Sequence, residues 1–262
     1  MSKIHAAIEK RGSPLLGVAV HTYNPAFVEI AGLLGFHILW IEMEHLTISF
    51  SEAMDLCRIA SGMNLLTMIR IPDSRRENVL KAAECGPDII DLPMGNTPEA
   101  LGELVQNARY APYGNRGFFG SSRAVRYGIG DIAEEQKRIS EHLCLLSQIE
   151  TVEAVARADE LCCVPGVDGI FIGPGDLSTS MGLPGQIEHP NMHEALEKTI
   201  TTAKQHGKLV ALAYGGPNVR MWVDKGVDML FCTSETACLK MGAQAVLAQL
   251  SDELSPNTKI GL

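Results

Sequence analysis

The residues able to do chemistry sit where apolar runs end. Trp40-Ile41-Glu42-Met43-Glu44-His45 closes one run with two acids and a histidine, and Ile69-Arg70 closes the next with a permanent positive charge. Gln148-Ile149-Glu150 closes a third with a carboxylate, and Gly173-Pro174-Gly175-Asp176 follows a fourth. Glu150 and Asp176, with no His or Cys close by in sequence, are hard oxygen ligands that suit Mg2+ or Mn2+. Zinc more often recruits His or Cys. His45 beside Glu42 and Glu44 has the make-up of a general base oriented and made more basic by an acid. Plainer readings stand beside these. Any one charge could be a structural ion pair, Glu150 could cap a helix opening at Thr151-Val152-Glu153, and Gly-Pro-Gly also makes ordinary turns. A lysine forming an imine would have to project from the same end of a strand. Lys208 and Lys225 fall at the other side of theirs.

These residues share one place only if the elements before them are parallel strands. Eight short apolar runs are candidates: Leu15–Val20, His37–Ile41, Leu65–Arg70, Asp88–Leu92, Leu143–Ile149, Asp168–Ile172, Leu209–Tyr214 and Asp228–Cys232. Stretches of helical period separate them: Pro25–Leu34, Phe50–Ser61, Arg75–Cys85, Thr97–Ala108, Thr151–Leu161, Asn191–His206, Asn218–Lys225 and Glu235–Leu250. A short amphipathic helix precedes the first run and is ended by Gly12 and Pro14. Gly86-Pro87-Asp88, Gly166-Val167-Asp168 and Gly226-Val227-Asp228 repeat a glycine that closes a helix before the next run. Near-continuous apolar strands fit a parallel sheet covered by helices. An open doubly wound sheet would satisfy the alternation, but eight units in 262 residues favour a single-domain (β/α)8 TIM barrel, which needs about 250. In such a barrel the charged residues above crowd the C-terminal rim, where catalytic groups belong. Arg109–Asp131, rich in Gly, Arg and aromatics, is longer than ordinary connections, so Phe118, Phe119 and Tyr127 should pack against something.

Composition narrows the partners. The net charge of −9 argues against nucleic acid and anionic membranes. An anionic substrate then needs local cations. No run approaches the ~18 apolar residues of a membrane span, and the N-terminus lacks the apolar core of a signal peptide. Seven scattered cysteines without a CxxC pair point to reduced thiols in a cytoplasmic protein. Gly114–Gly120 has the wrong spacing for a dinucleotide fingerprint.

The segments at residues 40–45, 69–70, 109–117, 148–150 and 166–178, the last running Gly-Val-Asp-Gly-Ile-Phe-Ile-Gly-Pro-Gly-Asp-Leu-Ser, occur in the order and spacing of a known family. The chain resembles the HpcH/HpaI aldolases, class II pyruvate aldolases that include 4-hydroxy-2-oxoheptanedioate aldolase and 2-dehydro-3-deoxyglucarate aldolase. The resemblance implies reversible cleavage of a 4-hydroxy-2-oxo acid to pyruvate and an aldehyde. It implies a divalent cation on Glu150 and Asp176, Mg2+ or Mn2+ with Co2+ and Zn2+ as further options. Arg70 would bind the keto oxygen and stabilise the enolate. His45, through a water on the ion, would take the C4 hydroxyl proton, and backbone at Gly175 and Asp176 would seat the carboxylate. Glu42 stands where the family usually has Asp as the partner of the histidine. Glu84 matches an acid that reaches a neighbouring subunit's site; its plainer reading is an exposed helix-end carboxylate. Loop 116–127 would shape the aldehyde pocket, with Arg116, Arg123 and Arg126 as candidates for a distal carboxylate. The family also implies a homo-oligomer, a trimer or a hexamer built from trimers, with the C-terminal helix exchanged. Other readings are a metal-enolate lyase such as an oxaloacetate decarboxylase or acyl-CoA lyase, and a non-catalytic binding protein on the same barrel.

Overall fold

Strands that are apolar on both faces must be covered inside and out, and the chain achieves this by closing them on themselves. The structure, a computed structural model, describes residues 3–11 and 14–253. The strands are β1 (Leu15–Val20), β2 (Ile38–Glu42), β3 (Leu66–Arg70), β4 (Ile89–Leu92), β5 (Cys144–Ile149), β6 (Gly169–Ile172), β7 (Leu209–Ala213) and β8 (Met229–Ser234). Each pairs in parallel with the next and β8 returns to β1, a closed barrel rather than an open sheet. All eight expected runs form strands.

The helices are α1 (Lys3–Arg11), α2 (Pro25–Leu33), α3 (Phe50–Gly62), α4 (Arg76–Glu84), α5 (Pro98–Ala108), α6 (Ile132–His142), α7 (Val152–Ala156), α8 (Ala158–Cys162), α9 (Pro174–Ser180), α10 (Pro190–Gln205), α11 (Val219–Asp224) and α12 (Glu235–Glu253). Their starts follow from side-chain caps: Asn24, Ser49, Thr97, Asp131 and Thr151 each accept a backbone N–H three residues on. Ser49 and Glu52 complete a capping box. The single helix expected over Thr151–Leu161 is two, divided at Arg157, which leaves helical geometry at φ −99° and ψ 10°. The short helix α9 was expected only as a turn. Gly12, expected to end α1, lies outside the described residues.

The inward positions of the barrel stack in register. Gly17 pairs with Ile38 and Ala19 with Trp40; Trp40 in turn pairs with Met68, and Phe171 with Ala211. Leu15, Ile38, Met68, Ile89, Leu146, Phe171, Met229 and Phe231 fill the interior, and Ile4 of α1 joins them. Gly17 is needed here, because a Cβ would lie 2.3 Å from the Phe231 ring. Emptying the ring's place, as in Phe231→Ala, removes stabilisation of about 3–5 kcal/mol. A second, larger apolar layer lies between barrel and helices.

At the N-terminal mouth the three Gly-x-Asp repeats make one device. Asp88 accepts Thr67 N–H of β3 at 2.9 Å, Asp168 accepts Leu145 N–H of β5 at 2.8 Å, and Asp228 accepts Val210 N–H of β7 at 2.8 Å. Each also has its own cation: Lys3, Arg109 and Lys204, all at 2.8 Å. Helix α12 stands off the barrel, with Leu239, Met241, Val246, Leu247 and Leu250 exposed. No helix among the described residues is long and apolar enough to cross a membrane.

Candidate active site

The register of β2, β3 and β4 places Glu42 beside Arg70 and Arg70 beside Asp91 at the C-terminal end of the barrel. Arg70 donates from Nε to Glu42 Oε2 at 2.5 Å; its Nη1 lies 3.1 Å from Glu44 Oε2 and 4.0 Å from Glu150 Oε2. The guanidinium is only 8% exposed and lies over the Trp40 ring at 5.2 Å. Trp40, Phe171 and Phe231 pack edge-on or tilted at 5.0 to 5.6 Å, an apolar floor under the charges.

Glu42 supports the histidine in a different way from that expected. Its Oε1 accepts the backbone N–H groups of Glu44 at 2.7 Å and His45 at 3.1 Å, while Oε2 is taken by Arg70. The imidazole is instead next to Glu44, with Nε2 at 3.5 Å from Oε2, and is 58% exposed. A buried guanidinium claims one Glu42 oxygen and the turn claims the other, leaving none for the ring. Glu44 is therefore the acid beside the imidazole, and Glu42 shapes the turn that carries it.

Glu150 is 1% exposed and turns inward. It accepts Met94 N–H at 2.7 Å on Oε1 and Gln148 Nε2 at 2.5 Å on Oε2. Met94 reaches it from a left-handed backbone, φ 50°. The helix cap is Thr151, whose Oγ1 accepts Ala154 N–H, so capping does not explain Glu150. Gly173 leaves room for this pair: a Cβ there would lie 2.9 Å from both Gln148 Nε2 and Glu150 Oε2. Gly175 and Asp176 follow, exposed, in the first turn of α9.

The electrostatics are one-sided. Burial raises Glu44, Glu150 and Asp91 above the usual carboxylate range, Asp91 furthest. Arg70 opposes each shift, and the acids reinforce one another, Asp176 acting on Glu44. Burial works against the charge on Arg70, but Glu42 and Glu44 outweigh it and hold the guanidinium above its ordinary value. Both Asp91 oxygens, Gln148 Oε1 and Glu44 Oε2 are buried without a hydrogen-bond donor. Among the described residues, Glu42, Glu44, Asp91 and Glu150 meet one guanidinium here, and Asp176 adds its charge at Glu44. That excess, with an all-oxygen donor set, fits a hard divalent cation. Asp91 was not anticipated: its signal is an acid in the otherwise apolar run Ile89–Leu92, which reads as strand interior.

Glu84, Arg116 and Arg123 are not brought to this rim in the chain. Arg116 pairs with Glu84 at 2.9 Å and stacks over Tyr110. Arg123 turns both terminal nitrogens to the protein, bonding the carbonyls of Cys57, Cys85 and Gly86 and Ser61 Oγ, so no terminal N–H is left for a bidentate grip on a substrate carboxylate. Both line a cavity of about 600 Å3 with Lys3 and Asp88, towards the N-terminal mouth. Phe119 and Tyr127 are exposed, and Phe118 touches only the edge of Tyr110. The cavity that does adjoin the rim is about 380 Å3 and opens beside Trp40 between the ends of β1, β7 and β8, lined by Ala19, His21, Ala213, Tyr214 and Thr233. Buried Glu235 fixes the His21 side of that lining, accepting the N–H groups of His21 and Thr22 and the Thr22 hydroxyl; in the sequence it stands out only as the start of a helix.

The family model for HpcH/HpaI aldolase/citrate lyase matches residues 16–237. A hydroxypyruvate/pyruvate aldolase of Sagittula stellata is 33% identical over 188 residues, 71% of this chain and 74% of that protein. A 2-dehydro-3,6-dideoxy-6-sulfogluconate aldolase of Pseudomonas putida is 29% identical over 94% of this chain and 96% of its own length. The crystal structure of an HpcH/HpaI aldolase from Desulfitobacterium hafniense superposes with a TM-score of 0.88 at 27% identity, covering 96% of this chain and 97% of that one.

Proposed function

Since the chain belongs to the HpcH/HpaI aldolase/citrate lyase family, we propose that it is a cytoplasmic, divalent-metal-dependent aldolase that splits a 4-hydroxy-2-oxo acid reversibly into pyruvate and an aldehyde. The observation that carries the reading is the buried Glu42–Arg70 pair set among Glu44, Asp91 and Glu150. Glu150 and Asp176 are the residues to hold Mg2+ or Mn2+. When bound, the ion supplies a Lewis acid that favours the enolate at neutral pH.

The chain's own residues do the rest. Arg70 binds the keto oxygen through the guanidinium edge that Glu42 leaves free, and the same fixed charge holds the oxygen as it turns negative. Glu42 keeps that guanidinium in place, so little reorganisation is needed as charge develops. The backbone N–H groups of Gly175 and Asp176 open α9 and receive the carboxylate. In cleavage, His45 accepts the C4 hydroxyl proton, the C3–C4 bond breaks, and its electron pair moves into the C2–C3 bond as the carbonyl becomes an enolate. Protonation at C3 completes pyruvate. Glu44 Oε2, 3.5 Å from Nε2, orients the imidazole. The aldehyde half occupies the cavity beside Trp40, since that space rather than loop 116–127 adjoins the rim. Exposed Ile30, Leu33 and Leu34 on α2 and the bare apolar positions of α12 support a homo-oligomer in which α12 is exchanged. A monomeric mass in solution would contradict that assembly.

The test is condensation of pyruvate with a panel of aldehydes, with and without EDTA. We expect product with added Mg2+ or Mn2+ and loss of turnover on chelation. Undiminished cleavage by metal-stripped protein overturns the mechanism. Failure of every aldehyde alongside rapid pyruvate C3 proton exchange points to a different lyase on the same enolate.

A further inference from the structure

A second group of side chains with metal-ligating chemistry lies at the opposite end of the molecule. Asp159 in the first turn of α8 and Cys163 just past its end are four residues apart, which places them on one face. His206 ends α10, the helix that packs against α8. Its Nε2 is 2.8 Å from Asp159 Oδ1 and its Nδ1 is 3.8 Å from Cys163 Sγ. One ligand atom from each residue can be chosen so that all lie within 4.8 Å of one another. We propose that Asp159, Cys163 and His206 form a zinc site, with water in the fourth position.

The donor set selects the metal. Thiolate, imidazole and carboxylate together suit zinc, whereas the rim carboxylates offer only oxygen. Bond lengths of about 2.0 Å to nitrogen and oxygen and 2.3 Å to sulfur put tetrahedral ligand atoms roughly 3.3–3.6 Å apart. An ion takes one imidazole nitrogen, whereas Asp159 faces Nε2 at 2.8 Å and Cys163 faces Nδ1 at 3.8 Å; with one nitrogen chosen the three ligand atoms lie within 4.8 Å of one another, and rotation of these side chains closes the rest. Thiolate and carboxylate balance the charge of the ion. Asp159 is 78% exposed, which leaves an open approach. The neighbouring Cys162 is buried and stands apart from the cluster. α8 precedes β6 and α10 precedes β7, so their ends meet at the N-terminal mouth, away from the aldol chemistry. An ion there ties together the two helices that flank β6, and its role is stability rather than turnover.

Cobalt separates this site from the rim, because only a thiolate ligand gives a sulfur-to-cobalt charge-transfer band in the near ultraviolet. With the chelator-treated full chain, one equivalent of Co2+ should produce the band in wild type and in Glu150→Gln, and zinc should bleach it. Cys163→Ser should show no band while its aldol activity is unchanged. His206→Ala and Asp159→Ala should weaken cobalt binding by about tenfold or more, at least the loss seen for outer-shell partners. Zinc should raise the Tm of wild type by more than that of Cys163→Ser, which keeps the rim carboxylates. No band in wild type overturns the site, as does a band that survives Cys163→Ser or an equal Tm response in both proteins.

Discussion

The two mouths of the barrel carry acids under opposite rules. At the N-terminal mouth Asp88, Asp168 and Asp228 each receive a backbone N–H from the preceding strand and a cation of their own. At the C-terminal mouth Glu42, Glu44, Asp91 and Glu150 gather around Arg70 with Asp176 acting on Glu44, and Asp91 has no donor at all. Acids of the first kind pin strand to strand and are chemically quiet. Acids of the second kind are costly to the fold, a cost that the proposed cation and substrate oxygen would offset. The same residue type is structural where its partners are saturated and functional where they are not.

The comparison breaks most directly at Arg70. Arg70→Ala should slow pyruvate C3 proton exchange, followed by NMR in D2O, by about 10²–10³-fold, the usual loss for one oxyanion donor. It should also cost about 3–5 kcal/mol of stability, because buried acids lose their counter-charge. Arg70→Lys keeps the charge without the fork and should recover stability more than rate. Exchange near the wild-type rate in Arg70→Ala would remove it from the chemistry. At the other mouth the expected effects are reversed. Asp228→Ala should leave kcat within error and lower stability by about 1.5–3 kcal/mol, read from the urea midpoint, since the Val210 N–H loses a charged acceptor. A large fall in kcat with unchanged stability would erase the distinction between the mouths.

Much of this was legible in the sequence, for a physical reason. A strand buried on both faces must be apolar, so all eight strands, and the charges that stop them, stand out. Glu150 and Arg70 are found this way. Asp91 is not, because one acid inside Ile89–Leu92 breaks no pattern that composition can weigh; only the register beside Arg70 gives it meaning. Glu42 stands out too, but which partner it takes does not, since the sequence sets no contest between the His45 ring, the turn N–H groups and the Arg70 guanidinium that claim its oxygens. Arg116 and Arg123 misled because a loop arginine offers the same donors to a carbonyl as to a substrate.

Asp91 gives the finest test of the difference between the mouths. Burial, aided by Glu150, Glu42 and Glu44 and opposed by Arg70, raises its carboxyl well above the ordinary aspartate range. Below that range folded and unfolded chains both hold the proton, and the group is silent. As pH rises through it the unfolded chain releases the proton while the folded chain keeps it, so stability falls until the buried carboxyl itself ionises. Asp91→Asn removes that slope. The variant should match wild type in acid and exceed it at neutral pH by about 1.4 kcal/mol for each unit by which folding raises the group. Urea midpoints of chelator-treated protein across the pH range measure it. Parallel curves for the two proteins would mean that Asp91 is as well satisfied as Asp88, Asp168 and Asp228, and that the excess charge at the rim rests on Glu44 and Glu150 alone.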